Sequence, residues 1–283
     1  MRAAQTAFER FEFKYLVSEQ RAQELLQRTA PYLRSDDWAP GGQRITSLYL
    51  DSPERDFMQL HREGAPDRSK LRVRAYGAPL ADQAFFEIKR KVKRVTFKHR
   101  AIVPQSAVPM LLRGELDPTR LVKSEAEQRT LEHFLYLMLT YRAEPTVLTT
   151  CCREAFTAIE PADEVRLTLD RDISYQPARG STLKGDPQAW VRLCGYGNYL
   201  PTAPVLIELK FRGIAPLWVQ DLVQELKLTV SAYSKYVTAM TVDELDPESR
   251  LGWDLASPLS AVPPVPPVSP ELAVHSASSS TYP

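Results

Sequence analysis

Between Arg68 and Arg100 the chain reads RSKLRVRAYG and, a few residues on, FFEIKRKVKRVTFKHR. Charge and apolarity alternate there with a period of two. On a helix, steps of about 100° per residue would scatter these charges around the axis, whereas a strand sends every second side chain to one face. Lys70, Arg72 and Arg74 then share a face, with Leu71, Val73 and Ala75 behind them. Glu87, Lys89 and Lys91 likewise oppose Phe86 and Ile88. Lys98 and Arg100 continue the pattern against Phe97, where His99 interrupts the apolar side. The spacing predicts three consecutive strands, each with a cationic face, and only Asp82 and Glu87 stand among these bases. A single charged strand ordinarily faces water. Repeated over several strands, the imbalance calls for an anion.

The rest of the chain bounds what that anion can be. The net charge is only +1 over 283 residues, so the basic face must be balanced by acidic surface elsewhere. That points to a local anion site and away from a nucleic-acid coat. With 43% hydrophobic residues, the chain has enough apolar material for a sizeable core. Cys151, Cys152 and Cys194 are too few and too oddly placed for a disulfide framework, and a reducing cytoplasm is expected. MRAAQTAFERFEF lacks the apolar run of a signal peptide, and no stretch approaches the roughly 18 apolar residues of a membrane span. The histidines His61, His99, His133 and His275 form no zinc pattern.

In chain order, residues Phe8 to Val17 alternate as a strand with Arg10, Glu12 and Lys14 on one face. Ser18 caps a helix running to about Thr29. RITSLYLDSP is a strand stopped by Asp51 to Pro53, and Asp56 to Glu63 is a short helix or loop. After Arg100, Ser106 to Leu112 and Glu125 to Tyr141 carry helical periodicity, the second with Leu131, Phe134, Leu135 and Met138 on one face. PTVLTTCCREAFTAIE is one long bent strand or a pair. EVRLTLDRDISY follows with Arg166, Thr168 and Asp170 in phase, then a loop over Gln176 to Asp186, then PVLIELKFRG with Glu208 and Lys210 in phase. Pro216 opens a helix to Leu226, and Ser231 is positioned to cap a last helix holding Tyr233, Ser234, Lys235 and Val237. Residues 1–254 read as one domain. Residues 255–283, too rich in Pro and Ser for a packed core, read as a disordered, partly polyproline tail.

Collected by parity, the polar strand faces offer Arg10, Glu12, Lys14, Arg72, Arg74, Lys89, Lys98, Arg100, Arg153, Arg166, Glu208 and Lys210. Closed inward, so many like charges would cost several kcal/mol per ion. The arrangement is tolerable only if the interior is wet and holds a polyanion.

FEFKYLVS, SLYLDSP, KLRVRAYG, FFEIKRK followed by FKHR, CCREAF, VRLTLD, VLIELKF and SAYSKYV occur here in one order. From about Phe8 to Met240 this ordered set resembles the VTC domain, the polyphosphate polymerase domain of the triphosphate tunnel metalloenzymes, or CYTH-like superfamily. The resemblance implies an α+β fold: a closed antiparallel eight-stranded β-barrel, the triphosphate tunnel, with helices packed outside. It implies catalytic contacts to the phosphate chain from Arg72, Arg74, Lys89, Arg153 and Arg166. Further phosphate binding falls to Lys14, Lys98, Ser234 and Lys235, and a Mn2+ or Mg2+ ion to Glu208; strand parity adds Arg100 and Lys210 to the phosphate contacts and Glu12 as either a second metal ligand or a structural partner of an inward cation.

The expected activity is metal-dependent transfer of the terminal phosphate of ATP to a growing polyphosphate chain. Hydrolysis of tripolyphosphate or an organic triphosphate is the alternative reading, and a non-catalytic polyphosphate or inositol-phosphate binding module the second. Hydrolases and cyclases of the superfamily begin E-x-E-x-K. Arg10 replaces the first glutamate here, which favours the polymerase branch and argues against two-metal hydrolysis. ATP and inorganic polyphosphate are the expected partners, with no nucleic acid. The family's association with membrane proteins adds a membrane-protein partner, at the inner face of a membrane, for a cytoplasmic chain without a span of its own.

Overall fold

Ten strands join in one antiparallel sheet in the computed structural model, which describes residues 10–36, 41–93, 95–122, 124–193 and 205–245. The elements run β1 (Arg10–Val17), α1 (Glu19–Thr29), β2 (Leu33–Ser35), β3 (Gln43–Asp51), α2 (Asp56–Arg62), β4 (Asp67–Tyr76), β5 (Gln83–Val92) and β6 (Val95–Pro104). They continue α3 (Val108–Leu112), α4 (Glu125–Thr140), β7 (Glu144–Ala158), β8 (Arg166–Pro177), β9 (Val191–Arg192), β10 (Val205–Arg212), α5 (Leu217–Glu225) and α6 (Lys235–Leu245). The expected tail at 255–283, Cys194 and the side chain of Arg10 lie outside the described residues.

The strand path is β1-β10-β8-β7-β3-β4-β5-β6, with β2 and β9 paired to β7 and β8. Among the described residues no ladder joins β1 to β6, so the hydrogen-bonded ring of a closed barrel is not formed. The sheet nonetheless curls. Lys89 of β5 and Glu12 of β1, near opposite ends of the path, approach to 3.5 Å.

Period-two patterning decides which face turns inward. Leu71, Val73, Phe86, Ile88, Ala101 and Val103 are buried outside the curl against Leu131, Phe134 and Met138 of α4, where Phe86 and Phe134 meet edge to face at 4.9 Å. Tyr15, Leu167, Ile207 and Leu209 pack in the same way under Ala22 and Leu25 of α1 and Val219 and Leu222 of α5. α1, α4 and α5 therefore cover the outside of the sheet, where helices were expected, whereas α6 lies inside the curl. β6 is the exception, because its first half is exposed on both faces, Phe97 included.

Inside the curl, Ile45, Tyr49, Val147, Cys151, Ile173, Tyr175 and Leu206 form an apolar cluster with Tyr236, Ala239 and Met240 of α6. Asp51 ties this end together. Its carboxylate accepts from the backbone N–H groups of Phe57 (2.9 Å) and Met58 (3.0 Å) and from the Tyr236 hydroxyl.

Local signals set several ends. Ser18 Oγ accepts from Arg21 N–H at 3.2 Å, capping α1. Gly77 closes β4 at φ 93°, where a Cβ would stand 2.7 Å from the Pro79 carbonyl oxygen. PTVLTTCCREAFTA is a single strand, β7, with a register shift at Thr150/Cys152. The residue before the last helix is Ser234 and not Ser231: Ser234 Oγ accepts from Val237 N–H at 3.4 Å, whereas the Ser231 N–H donates to the Lys14 carbonyl at 2.7 Å, anchoring the linker to β1.

Candidate functional site: a cationic inward face

The charged part of the inward face is assembled by register. Arg72 stands opposite Glu87, and Glu87 opposite Arg100, across β4, β5 and β6. Lys14 stands opposite Glu208 and Glu12 opposite Lys210, across β1 and β10, while Arg153 faces Asp170 across β7 and β8. Opposite charges directly across a ladder attract, so alternation and register together place each carboxylate among cations.

Glu87 is the densest junction. Its side chain is 1% exposed, yet it accepts from Arg72 Nε at 2.6 Å and Arg100 Nε at 2.8 Å, with Lys98 Nζ at 2.9 Å and Arg74 Nη1 at 4.0 Å. Burial alone would raise its pKa, but Arg72, Arg74, Lys98 and Arg100 outweigh it and hold the carboxyl ionised far below the usual range. The same pairing raises Arg72 despite its burial. Arg72 also donates to the Tyr49 hydroxyl at 3.2 Å, and Arg74 Nε donates to Ser47 Oγ at 3.1 Å. Lys98 is only partly compensated, and burial pulls it down to about 8.

A second junction joins Asp170 to Arg153, whose Nη2 donates at 2.6 Å, and to Lys235 at the start of α6. Burial opposes its charge, but Arg153 and Lys235 prevail and lower Asp170 to about 2. At the third, Glu208 accepts from Lys210 Nζ at 2.7 Å, with Arg153 Nη2 at 3.6 Å and Lys14 Nζ at 3.8 Å. Burial raises Glu208, and Lys210, Arg153 and Lys14 overcome it, leaving the group well below the usual carboxylate range. Glu12 sits beside it, 3.5 Å from Lys89 and 3.6 Å from Lys14. Burial is outweighed there too, and Lys89, Lys210 and Lys14 keep Glu12 ionised.

The structure thus brings together Glu12, Lys14, Arg72, Arg74, Lys89, Lys98, Arg100, Arg153, Glu208, Lys210 and Lys235. Ser234 joins them by accepting from Lys70 Nζ at 2.7 Å. It does not bring in Arg166. That side chain shares the parity of Asp170 but stands at the end of β8, 47% exposed, with Nη2 donating to Asp36 at 2.8 Å. Parity identifies a face and not the depth along it.

Glu87, Asp170 and Lys70 are further members of the charged cluster that strand parity marks on this face but does not single out. Their weight comes from register. Among the described residues no group of three His, Cys, Asp or Glu side chains is arranged to hold a metal ion. Glu208 and Glu12 are the two carboxylates that sit together on this face, and a hard divalent cation there would need phosphate and water oxygens to complete its shell. Cys151 and Cys152 are free thiols, and burial pushes Cys151 up to about 11, so it behaves as a small core residue. No described helix is long and apolar enough to cross a membrane.

The family model of the VTC domain matches residues 9–242. No curated protein matches the chain. Among solved structures, a candidate adenylate cyclase from Bacillus halodurans is similar at 12% identity over 80% of this chain and 95% of its own, with a TM-score of 0.46.

Proposed function

The chain belongs to the VTC domain family, a family of polyphosphate and triphosphate chemistry, and from that premise we propose that it is a polyphosphate polymerase acting on ATP. The observation that carries this reading is the convergence of lysines and arginines from six strands and α6 on one inward face, where they outnumber the carboxylates. Such a face is a cradle for a linear polyanion. On this reading the curled sheet acts as an eight-stranded tunnel, with β1 and β6 as its seam.

The reaction needs little covalent help from protein groups. A terminal oxygen of the growing chain, already an anion at neutral pH, attacks the γ-phosphorus of ATP. The bond from that phosphorus to the β–γ bridging oxygen breaks, and ADP leaves with the electron pair. Alignment and charge compensation are what the protein must supply. Arg72, Arg74 and Arg153 offer guanidinium forks matched to phosphoryl oxygens, and Lys14, Lys89 and Lys210 offer compact charges alongside. Each of these cations leans on a carboxylate in the free protein, so the cradle is held in place before the anion arrives. Glu208 with Glu12 would hold magnesium or manganese, which when bound adds charge compensation on the phosphate oxygens.

The test is to incubate the full chain with ATP and manganese, then resolve ADP, free phosphate and long polyphosphate, with Glu208→Gln in parallel. Polymer and ADP in step, with turnover slowed by orders of magnitude in Glu208→Gln, is the expected result. Free phosphate without polymer would identify a triphosphate hydrolase, and the absence of either product a binding module.

A further inference from the structure

Most cations of the inward face share a carboxylate. Arg72, Lys98 and Arg100 share Glu87, Arg153 and Lys235 share Asp170, and Lys14, Lys89 and Lys210 share Glu12 and Glu208. The end of β4 that follows α2 is built differently. Lys70 stands opposite Lys89 and Arg68 opposite Lys91, so across this part of the ladder cation faces cation. Among the described residues no carboxylate lies within ion-pair distance of Lys70 or Arg68. Lys70 Nζ has only the neutral Ser234 Oγ, at 2.7 Å. Arg68 Nη1 donates to the Ala65 carbonyl at 2.6 Å, but its Nε is buried without a partner, and so is Nδ1 of His61 in the last turn of α2.

Unpartnered buried polar atoms cost free energy, which water alone can relieve, but the cation-on-cation pairing beside them is relieved only by negative charge, and an anion with several acceptor oxygens meets both needs. Burial and the repulsion of Lys14, Lys89, Arg72 and Arg68 hold Lys70 well below the usual lysine range. Burial, then Lys70 and Arg68, press His61 down to about 2, so its ring is neutral. A divalent cation brought here would meet positive charge on every side. The carboxylates suited to it, Glu208 and Glu12, stand on β10 and β1.

We propose that Arg68, Lys70 and Ser234, with the His61 imidazole beside them, form a second anion subsite that takes a phosphoryl group of a linear polyphosphate without a divalent cation. The identity of the ligand rests on the polyphosphate reading, whereas the charge imbalance of the subsite does not. The inward face is then divided: metal-free phosphate at the β4–α2 end, and phosphate accompanied by metal at the β1–β10 side.

Inorganic tripolyphosphate titrated into the full chain in EDTA, by calorimetry, tests this directly. The parent is expected to bind, and Lys70→Met and Arg68→Gln to bind at least about tenfold more weakly, as loss of a charge-assisted contact predicts. Lys70→Met should melt no lower than the parent without ligand, because a buried unpaired charge has been removed; a merely structural Lys70 would lower the melting temperature. In protein labelled with 15N-histidine, the His61 ring resonances, assigned with His61→Gln, should move on addition of tripolyphosphate. If Lys70→Met does not fold, Arg68→Gln and the His61 resonances decide.

Variants that bind like the parent, stationary His61 resonances at saturation, or parent binding only with magnesium present would overturn the subsite. Binding in EDTA as described, without turnover of ATP, would overturn the polymerase reading and leave the subsite standing.

Discussion

Along β10 the inward face passes from Leu206, clustered with Tyr236 and Met240, to Glu208 and Lys210 two and four residues on; along β7 it passes from Val147 and Cys151 to Arg153. One half of the face is apolar and capped by α6, and the other is charged. The first half is satisfied by the protein itself, since burying a large apolar side chain is worth about 1.5–3 kcal/mol. The second is satisfied only pairwise, around Glu87, Asp170 and the Glu12–Glu208 pair, and leaves cations over. Ser234 and Lys235 stand at the border, where α6 passes from one half to the other. The apolar half should therefore govern stability without touching affinity, while the charged half should trade one for the other.

The largest effect is expected at Glu87. Glu87→Gln removes the one negative charge that Arg72, Lys98 and Arg100 share, and breaking a buried ion pair on one side costs about 3–5 kcal/mol. Denaturant unfolding should show a loss of that order, and tripolyphosphate should restore much of it by supplying the missing negative charge. A variant as stable as the parent would mean that solvent already screens this junction.

A smaller loss, without a ligand effect, is expected in the apolar half. Tyr236 is 1% exposed, stacks on Tyr49 with ring centroids 4.9 Å apart, and donates its hydroxyl to Asp51. Tyr236→Phe keeps the stacking but leaves the buried Asp51 one donor short, at a cost of about 1–3 kcal/mol. Its affinity for tripolyphosphate should match the parent's. A joint loss of stability and affinity would show that the two halves are coupled through α6.

The smallest effect is a pH dependence. Lys98 is lowered to about 8 by burial, from an ordinary value of 10.5, and Lys70 is also lowered. From about 8 up to the ordinary thiol value of 9.0 the unfolded chain holds lysine protons that the folded chain has shed, so stability without ligand should rise with pH there; above it Cys151, raised to about 11 by burial, works against the rise. Bound tripolyphosphate should flatten the rise, because it favours the charged lysines. Lys235, raised by Asp170 despite its burial, works in the opposite direction, but only above the ordinary lysine range. Melting curves across this window, with and without tripolyphosphate, would reveal the difference, and parallel pH profiles would contradict it.

Much of this architecture was legible in the residues because period-two alternation survives folding. LRVRAY, FFEIKRK and VLIELK became β4, β5 and β10 with the expected faces. Register was not legible, since it depends on turns and on which strands become neighbours. The pairing of Arg72 with Glu87, and of Glu87 with Arg100, is what makes one carboxylate in a basic stretch into a hub. Depth along the face was hidden too, which is why Arg166, in phase with Asp170, meets Asp36 at the exposed end instead. β2 and β9, three and two residues long, are too short to carry a period. The curl that brings Glu12 of β1 to Lys89 of β5 is a tertiary matter, for which neither strand's own pattern speaks.

Whether the charged half of this face binds a phosphate chain is decided by the affinity of the Arg72→Ala/Arg74→Ala double variant for inorganic tripolyphosphate. Both side chains project from β4 onto the inward face, and Glu87 keeps Lys98 and Arg100 when they are gone. With each charge-assisted contact worth about 1.5–3 kcal/mol, affinity at moderate salt should fall by at least about tenfold while the cooperative unfolding transition is retained. Affinity equal to that of the parent, in a variant that still folds, would mean that phosphate does not bind on this face.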